Sequence, residues 1–196
     1  GFLVEGGLAH FTSAVFDLET SHLNADFGIV LCGVIKAGDG SEPKVFRGDV
    51  IQAKEWAKGR RSNDKDLVST IVEELTKYDI WIGHNSVKFD IPFLRTRLAR
   101  WRLPPLRMNK IVDPVMLARN SLRMSYNSLD RIADFLGVNS KTTVSGDVWL
   151  RAYLDGDKEA MNYITAHCIQ DVLTLEKIVE ALKAYSTQLN SWGSGR

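Results

Sequence analysis

Apolar and polar positions along the chain follow two periods, and the switch between them divides it into strand-rich and helix-rich parts. Residues 10–18 (HFTSAVFDL) and 28–36 (GIVLCGVIK) are rich in β-branched and aromatic side chains and bounded by polar turns, which predicts strands. Gly38-Asp39-Gly40 and Pro43 mark a turn before a third short strand at 44–47. Three strands joined so closely predict an antiparallel meander. From Asp66 to Tyr78 the apolar residues fall at 67, 68, 71, 72 and 75, one face of a helix. A brief buried strand at 80–83 then leads into a helix at 88–101 with Pro92 in its first turn, and a fifth strand follows at 110–113. That order implies parallel pairing through a crossover. Helices are predicted at 114–121, 127–136, 147–154 and 157–185. The last carries an apolar stripe through Ile164, Cys168, Val172, Leu175 and Val179, and 186–196 read as a flexible tail.

At 196 residues and 22.0 kDa the chain fits one domain with its own core. Its 44% apolar and 25% charged content excludes a disordered or low-complexity architecture. The longest apolar run, 29–35, is interrupted by Gly33 and is too short to span a bilayer. No basic stretch followed by an apolar run opens the chain, so an intracellular location is expected. Cys32 and Cys168, far apart and in apolar surroundings, read as buried thiols without zinc-ligand spacing. With 25 basic and 24 acidic residues the net charge is +1, so only local charge can report a polyanionic partner.

Four acids carry the chemical signal. Asp17 and Glu19 lie two apart at a strand end, so both face one side while Leu18 faces the other. Two such charges raise each other's pKa unless a cation sits between them. Asp90 opens the helix after the fourth strand, and Asp171 lies deep in the last helix with His167 one turn earlier. Each has a plain alternative: a solvated strand end, a helix-start carboxylate on orphan N–H groups, and a surface His–Asp pair worth about 0.2–0.5 kcal/mol. Brought together they require multivalent cations, and hard oxygen ligands choose Mg²⁺ or Mn²⁺ over zinc.

The order of elements resembles that of ribonuclease H-like α/β domains: a central mixed five-stranded sheet, three antiparallel strands then two parallel, flanked by helices. The motifs sharpen the likeness. Phe16-Asp17-Leu18-Glu19-Thr20, then Asn85 through Phe89-Asp90, then Asp171 with a partner four residues earlier, resemble the three motifs of the DEDD-type 3′→5′ exonucleases. GHNSVKFDIPFLRTR and SYNSLDRIADFLGV are similar to the proofreading domain of family-B DNA polymerases, and the likeness spans about residues 12 to 180. One branch of that superfamily has Tyr four residues before the last Asp and the other has His five before it. Here His167 stands at the tyrosine spacing, with Ala166 at the other. After Glu19 the chain reads Thr-Ser-His-Leu where Thr-Thr-Gly-Leu is common, which leaves His22 without a role.

The resemblance implies hydrolysis of the 3′-terminal phosphodiester of single-stranded DNA or RNA, with DNA favoured, by two divalent cations, Mg²⁺ or Mn²⁺. It implies Asp17 as bridging ligand, Glu19 and Asp171 on the cation that activates water, Asp90 on the second, and His167 as general base. Leu23, Asn85 and Phe89 are the residues expected at the terminal nucleotide, with Phe93 in the core and Asp113 as a helix cap. Two basic runs, Arg95/Arg97/Arg100/Arg102/Arg107/Lys110 and Lys54/Lys58/Arg60/Arg61/Lys65, fit either phosphate contacts or solvated faces. The second is the better strand-facing candidate, read as a mobile loop. A nucleic-acid-binding or docking module that has lost turnover is the alternative, and an endonuclease of the same fold is disfavoured by the Asn85–Asp90 motif.

Overall fold

The computed structural model describes residues 11–107, 109–138 and 145–185. His10, expected to open the first strand, and the expected tail at 186–196 lie outside the described residues. Five strands form one sheet in the order β3-β2-β1-β4-β5. β1 (Ser13–Thr20), β2 (Val30–Ala37) and β3 (Lys44–Arg47) are antiparallel neighbours. β4 (Ile80–Ile82) runs parallel to β1, and β5 (Lys110–Val112) parallel to β4, as the crossover order predicts.

Helices cover both faces. Val15, Cys32, Val34, Ile80, Ile82 and Val112 pack in one core with Ile164, Cys168, Val172 and Leu175 of α8 (Lys158–Leu182), which continues as a short 3₁₀ turn. On the other face Ala14, Phe16, Leu18 and Trp81 meet α3 (Lys65–Leu75) and α4 (Asp90–Arg100) through Leu67, Ile71, Leu94 and Leu98. The two-residue period of β1 sets this division: Phe16 and Leu18 face the α3/α4 layer, so Asp17 and Glu19 face α8. A third, smaller core joins α5 (Pro114–Ser121) and α6 (Leu129–Phe135) to the distal half of α8 through Ala118, Ile132, Ile178 and Leu182. α7 (Gly146–Asp155) ends at Gly156, whose φ of 66° suits a left-handed cap.

Three expectations need correction. The segment at 48–65 is not a free basic loop: α1 (Gly48–Ile51) and α2 (Ala53–Ala57) form there, and Trp56 is buried at 8% exposure. Arg61 donates to the carbonyl oxygens of Tyr153, at 2.5 Å, and Leu154, which fastens the segment to the end of α7. These helices are too short to show a period, and one aromatic anchor holds them. Second, Arg97 is not on a phosphate-binding face. It is buried against Asp64 at 2.7 Å. Third, α4 starts at Asp90 rather than at 88, because 84–89 form a turn in which Asn85 adopts φ 55°.

Candidate active site

The parallel strands β1, β4 and β5 bring their C-terminal ends to one edge of the sheet, and the chemistry gathers there. Gly83 follows β4, and a Cβ at that position would lie 2.7 Å from the Phe16 ring and 2.6 Å from the Ser86 Cβ, so a side chain would push the turn away from β1. Asp113 holds the same turn from the end of β5. Its carboxylate caps α5 by accepting from the Val115 N–H at 3.0 Å and also accepts from the Asn85 N–H at 2.9 Å. The cap predicted at Asp113 is therefore also a clamp on the second motif.

With the turn fixed, Asp90 sits at the start of α4, buried at 4% exposure, and accepts the Leu18 N–H at 3.2 Å between the two β1 acids. From the opposite layer α8 supplies His167, Cys168 and, one turn on, Asp171. Its N-terminus is capped by Asp157, which accepts from Glu159 and Ala160, and its apolar stripe fixes the rotation of the helix on the sheet. That rotation puts Cys168 Sγ 3.4 Å from Asp17 Oδ2. His167 Nε2 lies 3.3 Å from Asp171 Oδ2 and 3.9 Å from Glu19 Oε1. Trp149 of α7 donates to Glu19 Oε2 at 3.0 Å and stands edge-on to the His167 ring, with centroids 6.3 Å apart.

All four acids are held above the ordinary carboxylate range, chiefly by burial. Burial, then the charges of Glu19, Asp90 and Asp171, raise Asp17 well above the ordinary carboxylate range. Burial raises Glu19 to about 8, against the Trp149 hydrogen bond and with the help of Asp171 and Asp90. Asp90 and Asp171 are each raised to about 7, again chiefly by burial, with Asp113 adding to the first and Asp130 to the second. Burial lowers His167, which favours the neutral imidazole, against a smaller opposing effect of Asp130. Such a group of carboxylates with raised pKa values calls for positive charge, and among the described residues no Lys or Arg forms an ion pair with any of the four. The donors fit a divalent cation. One oxygen each from Glu19 and Asp171 and a His167 nitrogen lie within 4.8 Å of one another, as do ligand atoms of Asp17, Glu19 and Cys168. The oxygen majority suits Mg²⁺ or Mn²⁺. Asp90 belongs to neither triad and meets the cluster through Leu18.

The expected substrate contacts are distributed along the same edge. Leu23 is 80% exposed at the β1–β2 hairpin, and Asn85 is exposed in its turn. Phe89 is half-buried and packs on Phe93 at 5.7 Å, and Phe93 is core, as expected. His22, without a role in the sequence, accepts from the Asn24 N–H at 3.0 Å and packs on Phe27, which shapes that hairpin. Sequence reasoning missed three neighbours of the cluster. Trp149 carried no signal beyond its place on a predicted helix. Cys168 was assigned only to the apolar stripe. Asp130, inside the SYNSLDRI segment already compared with polymerase domains, was the one within reach.

Residues 14–183 match the family model described as the RNase_H superfamily. The chain is 29% identical over 126 residues to a DNA polymerase III PolC-type of Ureaplasma parvum serovar 3, a match covering 57% of this chain and 9% of that protein. The structure of the family B DNA polymerase from the hyperthermophilic archaeon Pyrobaculum calidifontis shares the fold with a TM-score of 0.71 at 18% identity, over 91% of this chain and 25% of the other. The chain thus spans a small part of the length of either polymerase.

Proposed function

The chain belongs to the RNase H superfamily, and from that premise we propose that its acidic cleft is the active site of a metal-dependent 3′→5′ exonuclease acting on single-stranded ends. The observation that supports this most is the convergence of Asp17, Glu19, Asp90 and Asp171 from three distant segments beside His167. DNA is the favoured substrate because both matched relatives are DNA polymerases.

Asp17, Glu19, Asp90 and Asp171 would hold two divalent cations. When bound, such a pair neutralises charge on the attacking and leaving oxygens of an in-line displacement. The rest falls to the chain's own side chains. His167, kept neutral by burial, accepts a proton from the attacking water, with its ring standing edge-on to Trp149. The water oxygen bonds phosphorus as the bond to the 3′ oxygen of the preceding nucleotide breaks. A mononucleotide leaves, the 3′ oxygen of the shortened strand takes a proton from solvent to become a hydroxyl, and His167 returns its proton to solvent. Asn85, Leu23 and Phe89, on the same sheet edge, position the terminal nucleotide.

The test is a time course on 5′-labelled single-stranded DNA and a matched RNA in Mg²⁺, Mn²⁺ or EDTA. The expected result is a ladder shortening from the 3′ end, faster on DNA, abolished by EDTA and by Asp17→Ala. Cleavage that survives chelation, or that opens a circular strand, overturns the reading. Tight binding without hydrolysis in either metal would favour a docking module instead.

A further inference from the structure

Beyond the acidic cleft, the segment joining α5 to α6 and the outer face of α6 enclose an open cavity of about 420 Å³ lined by Arg123, Tyr126, Arg131, Asp134 and Phe135. Two of its aromatic rings face solvent, Tyr126 at 67% exposure and Phe135 at 69%. Neither belongs to any of the three cores. Arg123 and Arg131 form no ion pair among the described residues, and the two cations outnumber the one acid, Asp134. Exposed rings cost nothing to present to a flat π-face, and unpaired guanidinium groups suit phosphate oxygens.

The cavity adjoins the cleft. The Asn127 backbone, next to Tyr126, lies near enough to His84, in the turn that carries the second motif, to favour the charged form of that imidazole. Asp130, next to Arg131, lies close enough for its charge to act on both Asp171 and His167. Ile132 and Ala133 pin α6 onto α8, so its outer residues hold a fixed position relative to the acids.

We infer that this cavity is a second subsite for the single strand, in which upstream bases stack on Tyr126 and Phe135 while Arg123 and Arg131 contact the backbone. The inference rests on the exonuclease reading, and it makes the enzyme's affinity depend on strand length. The experiment uses two substrates, a labelled twelve-nucleotide single-stranded DNA and the p-nitrophenyl ester of thymidine 5′-monophosphate, which fills the cleft alone. Binding of the strand is followed by anisotropy in Ca²⁺ across a salt series, and ester hydrolysis in Mn²⁺. Tyr126→Ala/Phe135→Ala is expected to weaken strand binding at least about 10-fold. Arg123→Ser/Arg131→Ser should lower the slope of log K against log salt by about 1.4, two phosphates' worth for a single strand. Both variants keep wild-type ester hydrolysis. Unchanged strand affinity and salt slope in both, with the ester still hydrolysed, overturn the subsite and leave the exonuclease reading standing. Failure of the wild-type protein to hydrolyse either substrate overturns that reading itself. Loss of ester hydrolysis in the variants also defeats the inference, because it would place these residues in the chemistry.

Discussion

Two inward-facing carboxylates in this fold, buried Asp64 and half-buried Asp17, meet opposite fates. Asp64, 1% exposed, accepts from the Val30 N–H at 2.9 Å, from the Trp101 indole at 2.7 Å and from Arg97 at 2.7 and 2.9 Å. Arg97 in turn donates to the Ala25 and Ser62 carbonyl oxygens, so the ion pair is saturated with hydrogen bonds. The Asp17 carboxylate is hydrogen-bonded, among the described residues, only by the Cys168 thiol and faces three other acids. A satisfied buried carboxylate holds structure together. An unsatisfied cluster stores unfavourable free energy that a bound cation relieves, which is the usual sign of a functional site.

That contrast is most sharply tested by removing charge from each side. Asp17→Asn should lower the rate of strand hydrolysis by about 10³-fold or more, the equivalent of the several kcal/mol that cation-mediated stabilisation supplies. The same variant should melt at or above the wild-type temperature in EDTA, since a repelled charge is gone. Arg97→Ala should do the reverse. It strands a buried Asp64 and should cost about 3–5 kcal/mol in chemical denaturation while leaving the acidic cluster's chemistry intact in the folded fraction.

Cation addition separates the two regions again. At 100 times the dissociation constant, Mn²⁺ should stabilise the wild-type protein by about 2.7 kcal/mol, and Asp17→Asn should lose most of that gain. An equal gain in both proteins would mean that the ion binds elsewhere.

The smallest effect is on pH. Glu19, raised to about 8, and Asp90 and Asp171, raised to about 7, bind protons more tightly in the folded than in the unfolded chain. Between about pH 4.3 and 8 the folded state therefore holds the extra protons, and stability in EDTA should fall as pH rises through that window. Glu74 has the opposite sign. Burial would raise it, yet hydrogen bonds from Lys44, Lys77 and Tyr78 outweigh burial and hold it down to about 2. Its contribution is present above about pH 4.3 and is lost as pH falls toward 2. Unfolding free energies of wild type and Glu74→Gln should thus converge near pH 2 and differ by about 1 kcal/mol at neutral pH. A metal-free protein whose stability rises steadily from pH 5 to 8 would contradict the account of the cluster.

Much of this was legible in the sequence because it rests on short-range patterns. Alternation in β1 placed Asp17 and Glu19 together, and the helical period of α8 placed His167 beside Asp171. The five strands and their two pairing modes followed from turn chemistry and from strand–helix–strand order. What stayed hidden depends on contacts between distant segments. The Asp64–Arg97 pair spans 33 residues and nothing local marks it, so Arg97 read as one more surface cation. Trp149 reaches Glu19 across 130 residues. Asp113 looked like an ordinary cap, and its second task, holding Asn85, appears only when β4 and β5 lie side by side. α1 and α2 are held by Trp56 and Arg61 rather than by any period of their own.

The central claim is that the four acids share cations, and titration calorimetry of Mn²⁺ into the metal-free protein tests it most directly. Two ions bound per chain in the wild type, falling to one or none in Asp17→Asn and in Asp171→Asn, is the predicted result. Binding that is absent from the wild type, or that is indifferent to both substitutions, would contradict it.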